Sequence, residues 1–113
     1  MASLSTHALD TALGCPARGL NLTLFKINGA QRVELGRFTT NDDGRVEGGL
    51  FNDPNTELGE YEILFEAGEY LKANGGTDRY LTQVPIRFSI YDQTHYHVPL
   101  LVASYGYSTY RGS

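Results

Sequence analysis

Polar and apolar residues alternate along most of this chain, in short runs separated by turn residues. Over residues 3–10 the alternation puts Ser5, His7 and Leu9 on one face and Thr6, Ala8 and Asp10 on the other, the period of two expected of a strand. Leu20, Leu22 and Leu24 alternate with Asn21, Thr23 and Phe25, and Asn28-Gly29 then offers a hairpin turn. A run over 33–40 is closed by Asp42-Asp43-Gly44. Residues 61–65, 84–91, 95–103 and 105–111 supply further strands, with a turn over 12–16 and a loop over 52–55. Only 68–75 argues for a helix, through Ala, Leu and Lys and a Gly75 suited to the left-handed stop position. So short a helix must lean on a sheet. Seven or eight strands with regularly spaced turns point to an all-β sandwich.

Composition narrows the functional classes. The 113 residues suffice for one domain spanning 1–113 with its own core. A hydrophobic content of 41% and a charged content of 19% fit a globular chain rather than a disordered one. The net charge of −4 and the absence of a Lys/Arg run give no reason to expect nucleic acid as a partner. No segment approaches the length of a membrane span. The single cysteine, Cys15, cannot form an internal disulfide. The opening residues lack the pattern of a signal peptide, so the expected location is the cytoplasm, with a removed presequence left open.

Chemistry concentrates in a few places. His95 and His97, two apart on one strand, point to the same side, with Tyr96 opposite. A His-x-His pair with His7 as a third ligand is compatible with zinc, although no partner cysteines accompany it. Taken alone, His95 reads as a solvated strand-end residue and His7 as a structural one. Imidazole is also the side chain best suited to general-base work near neutrality. Arg45 follows Asp43-Gly44, at a turn leading into a short strand. Tyr110-Arg111-Gly112-Ser113 reads as a strand end beside His95–His97, which would bring an imidazole and an arginine into one pocket. No Gly-x-Ser-x-Gly elbow and no phosphate-binding glycine loop is present.

Three segments together resemble one family. The stretch from Ser5 through His7 and Asp10 to Gly14, the stretch from Thr40 through Asn41 to Arg45, and His95-Tyr96-His97-Val98-Pro99-Leu100-Leu101 with the final Tyr110-Arg111-Gly112-Ser113 are similar to the transthyretin-related proteins. The last tetrapeptide resembles their enzymatic branch, the 5-hydroxyisourate hydrolases. The resemblance implies an eight-stranded sandwich with one short helix, homotetrameric assembly, and hydrolysis of 5-hydroxyisourate in urate degradation without metal or organic cofactor. It places catalysis on His7, Arg45 and His97, and substrate binding on His7, Arg45, Tyr110, Arg111, Gly112 and Ser113. It carries no catalytic role onto His95. One departure is Ala103-Ser104, where many members have Ser-Pro, and the expected consequence is an altered strand bend. The rival readings are a transthyretin-like carrier of hydrophobic ligands and a purely structural sandwich.

Overall fold

The computed structural model describes residues 2–53 and 56–112. Two sheets face each other. One holds β1 (Ala2–Asp10), β2 (Cys15–Pro16), β5 (Phe51–Asp53), β8 (His95–Ala103) and β9 (Gly106–Thr109). The other runs β4 (Gln31–Thr39), β3 (Asn21–Asn28), β6 (Gly59–Phe65), β7 (Val84–Ile90), all neighbours antiparallel. One helix, α1 (Ala67–Ala73), follows β6. The chain therefore adopts the expected all-β sandwich with one short helix.

Alternation explains which faces meet. Leu4, Ala8, Leu22, Leu24, Ile63, Phe65, Leu100 and Val102 are buried between the sheets. Strand β1 alternates buried and half-buried positions along its whole length, so Ser3, Ser5, His7 and Leu9 line the outer face. A slip of one residue would drive His7 and two serines into the core. Each large apolar side chain then exposed would cost about 1.5–3 kcal/mol.

The central pairing joins β1 to β8 in parallel, with Ser3 opposite His95, Ser5 opposite His97 and His7 opposite Pro99. The other edge of β1 is covered piecemeal. β5 pairs with Ala2–Leu4, Arg45 makes an isolated antiparallel bridge to His7, and β2 pairs with Leu9 and Asp10.

These pieces correct three local expectations. Residues 15–16, expected in a turn, pair with β1, and the turn is confined to 11–14. Residues 52–53, expected in a loop, pair with its beginning. The short strand expected after Arg45 shrinks to a single bridge, because Gly48 and Gly49 both take φ +77° and turn the chain away. The Asn28-Gly29 hairpin forms as expected, with Gly29 at φ +61° and Asn28 opposite Gln31. The last strand is shorter than expected, since Ser104 and Tyr105 form the turn between β8 and β9. The Ala103-Ser104 departure thus falls at a hairpin tip, where the Ser104 hydroxyl accepts the Thr77 N–H at 3.2 Å.

Helix α1 ends as anticipated, with Gly75 at φ +89° and the Gly76 N–H donating to the Leu71 carbonyl at 2.8 Å. It is anchored from its buried face. The Tyr70 hydroxyl donates to Asp10 Oδ2 at 2.9 Å, while Asp10 Oδ1 accepts the N–H groups of Ala12 and Leu13 at 3.0 Å each. Burial, with the Asp10 carboxylate beside it, raises the Tyr70 phenol above its ordinary range. Asp10 itself is only 3% exposed, so its loss strands a hydroxyl and two amides. Asp10→Ala should therefore cost about 1–3 kcal/mol, measured as a lower urea midpoint at unchanged slope.

Candidate active site

The candidate residues converge on the outer face of the first sheet. Paired residues in a sheet present their side chains on the same side, so each pairing above also places a functional group. His7 and Arg45 are brought together by their bridge, Ser5 and His97 by the β1–β8 register, and His97 and Gly112 by a second antiparallel bridge. In a single chain this face is open: His7 and His97 are half-buried, His95 and Arg45 exposed.

Arg45 is positioned by the loop before it. The Asn41 side-chain oxygen accepts the N–H groups of Asp43 and Arg45 at 3.0 and 3.1 Å, a turn that these residue types favour. The loop docks through the Gly44 carbonyl, which accepts the Ala8 N–H at 2.8 Å. Gly44 sits at φ +73°, and a Cβ there would overlap the Ala8 carbonyl oxygen. Only glycine satisfies both the conformation and the contact.

His97 is held from two sides. Its Nδ1 lies 2.8 Å from Ser5 Oγ. Its backbone carbonyl accepts the Gly112 N–H at 2.8 Å, which lays that glycine against the imidazole. A Cβ on Gly112 would come within 2.5 Å of His97 Cδ2, so any side chain here must displace the ring. Burial holds the His97 pKa below the ordinary 6.5, and the nearby charges of Arg45, His7 and His95 lower it further. The ring is therefore neutral at neutral pH.

Not every expected residue joins this cluster. Arg111 alternates with Gly112 and turns the other way. Its guanidinium lies 4.4 Å from the Tyr96 ring centroid and hydrogen-bonds the Tyr91 hydroxyl at 3.2 Å. Tyr96 is on the core face of β8, so the expected meeting of Arg111 with an imidazole does not occur within one chain. Tyr110 is exposed, and with Arg111 it lines a cavity of about 260 Å³ beside Phe88 and Tyr96. Ser113 lies outside the described residues. A larger concavity of about 580 Å³ opens on the outer face of the opposite sheet, around Phe25, Arg37 and Glu69, remote from the histidines. Among the described residues no three His, Cys, Asp or Glu side chains are grouped as a metal site, so the zinc alternative gains no geometric support.

Two members of the face were not singled out from the sequence as site residues, Ser3 and Ser5. The available signal was their period of two with His7, but only the parallel register sets them opposite His95 and His97.

A family model described as the HIUase/Transthyretin family matches residues 4–112. The chain belongs to this family. The match includes His7, Arg45, His97 and Gly112. A 5-hydroxyisourate hydrolase of Mesorhizobium japonicum is 48% identical over 113 residues, covering 97% of this chain and 91% of that relative. The solved structure of Klebsiella pneumoniae 5-hydroxyisourate hydrolase is similar at a TM-score of 0.83 and 34% identity, covering 100% of both chains. The crystal structure of an (S)-allantoin synthase gives a TM-score of 0.89 at 41% identity, over 99% of this chain and 44% of that one. This chain thus spans less than half of that protein.

The electrostatics of the cluster can be checked directly. Replacing Arg45 by Gln removes a positive charge that disfavours the imidazolium, so the His97 midpoint should rise. Titration of the ring signals by NMR measures it, and an unchanged midpoint would remove the guanidinium from His97's surroundings.

Proposed function

We propose that this chain, as one domain over 1–113 in the cytoplasm, hydrolyses 5-hydroxyisourate to 2-oxo-4-hydroxy-4-carboxy-5-ureidoimidazoline. The observation that carries this reading is a half-buried imidazole sharing one sheet face with a second imidazole and a guanidinium. The reaction adds water to a ring carbonyl carbon and breaks its C–N bond. It needs a base for the water, a donor for the developing oxyanion and a proton for the leaving nitrogen.

The lowered His97 pKa favours that residue as the base, because a neutral ring retains its lone pair. His7 then protonates the leaving nitrogen. Arg45 hydrogen-bonds the carbonyl and amide edge of the substrate and stabilises the oxyanion, a contribution of about 3 kcal/mol for a donor of this kind. Despite the overall charge of −4, the Arg45 guanidinium gives this face a favourable local field for an anion-prone heterocycle. No step calls for a metal or an organic cofactor. Gly112 forms a wall close to His97, and Arg111 anchors the segment that carries it. Contacts of Tyr110, Arg111 and Ser113 with substrate rest on the family resemblance.

Small-molecule sites ordinarily enclose most of their ligand, and this face is open in one chain. A homotetramer in which neighbouring copies cover the face supplies the missing enclosure. Light scattering at assay concentration tests it, and a fully active monomer would defeat the shared site.

Ultraviolet monitoring of freshly generated 5-hydroxyisourate, corrected for spontaneous decay, is the deciding experiment. Chelated protein should accelerate the decay at its full rate. Absence of acceleration, with tight binding of aromatic ligands instead, would favour the carrier reading. His97→Asn should lower turnover by about a hundredfold or more, whereas His95→Asn should cost much less, with circular dichroism showing both variants folded. Gly112→Ala should also impair turnover strongly while leaving the thermal midpoint almost unchanged, since its effect falls on the His97 ring.

A further inference from the structure

The geometry points to Ser5 as the positioning residue of His97, at the head of a hydrogen-bonded line that continues through His95 to Ser3. This deepens the hydrolase reading and rests on it for its catalytic consequence. Ser5 Oγ lies 2.8 Å from His97 Nδ1 and 3.1 Å from His95 Nε2, and Ser3 Oγ lies 2.5 Å from His95 Nδ1. All four side chains come from directly paired positions of β1 and β8, so the spacing is imposed by the backbone.

Proton counting gives the line its significance. A neutral imidazole carries one N–H and one lone pair, and a serine hydroxyl carries one proton. Ser5 therefore donates to one ring and accepts from the other. When His97 Nδ1–H donates to Ser5, Ser5 donates to His95 Nε2, and His95 Nδ1–H donates to Ser3. His97 Nε2 then presents a bare lone pair, the form required of the base. When the line runs in the opposite direction, Ser3 donates to His95, His95 to Ser5 and Ser5 to His97. His97 Nε2 then bears the proton. No member changes charge between the two arrangements. The direction of the line and the tautomer of His97 are one variable.

This role also accounts for a histidine at position 95, which is exposed and touches the site through Ser5. With Ser5 fixed from both sides, the His97 ring is held in plane and its tautomer is tied to the direction of the line. Without the hydroxyl, Nδ1 pairs with solvent, and the tautomer is uncoupled from His95 and Ser3.

Ser5→Thr and Ser5→Val form the decisive pair, because they share one shape suited to a strand and differ only in the hydroxyl. In the protein without substrate, nitrogen-15 NMR of the His97 ring should show the same Nε2 and Nδ1 pattern in wild type and Ser5→Thr. Ser5→Val should show ring shifts displaced from that pattern. With substrate, Ser5→Val should lose about ten- to a hundredfold in kcat, the scale of losing an orienting partner of a functional histidine, at little change in KM. Ser5→Thr should restore most of it. Ser5→Ala serves as the second hydroxyl-free variant should Ser5→Val misfold. Unchanged His97 ring signals in a folded hydroxyl-free variant would overturn the assignment, whatever the activity. Altered ring signals in a protein whose wild type shows no hydrolysis would uphold the positioning and reject the hydrolase reading.

Discussion

Eight successive residue pairs, from Ser3 with His95 to Asp10 with Val102, bind β1 to β8 in parallel. Every member of the candidate site is defined relative to that seam. The seam itself is held by the opposite face of the same two strands. Leu4, Ala8, Leu100 and Val102 are essentially inaccessible, so neither strand can shift without exposing them. Thr6, also buried, adds a hydroxyl bond to the Val98 carbonyl at 2.7 Å, locking the register within the core. Apolar burial on one side thus determines the distances between imidazoles and hydroxyls on the other.

Around the seam, loops deliver what strands cannot. The edge of β1 presents backbone groups that a neighbour must satisfy, and three separate excursions of the chain do so in turn. The middle one carries Arg45. Its placement depends on an asparagine that folds the loop and a glycine that allows it to approach. At the other edge of the seam Gly112 plays a corresponding part, by having no side chain to push against His97. Two glycines at points of closest approach therefore define the lateral limits of the cluster.

What could be read in the residues follows from what is local. Strand β8 occupies the anticipated 95–103, β1 differs by one residue, and the helix stops where Gly75 allows, because alternation and turn chemistry act within a few residues. Strands β2 and β5 escaped notice because a two- or three-residue strand exists only through its partner. The joint role of His7 and His97 was implied by the family resemblance, whereas the Ser5–His95 contact required the register of two strands far apart in sequence. Arg111 shows the opposite failure. Its nearness to the histidines in sequence suggested a shared pocket, yet a strand's alternation sent it to the aromatic side, over Tyr96. Glu62 is a further case: a glutamate in an otherwise apolar run, only 4% exposed, that is paired with Arg87 on the adjacent β7 and with Arg32 on β4, one strand beyond β3.

The distance along the chain between the two halves of the seam also orders events in time. Ser5 and His97 are 92 residues apart, whereas β3, β4, β6 and β7 are joined through antiparallel neighbours. During synthesis the second sheet and the helix emerge complete while β1 still lacks its main neighbour. Closing so long a loop comes late and slowly compared with forming hairpins. On the ribosome, then, β1 stays unpaired along its β8 edge until residues 95–103 appear. The chemistry of the face comes into being only with that last closure, so a prematurely terminated product holds His7 and Arg45 but has no imidazole of β8 to work with.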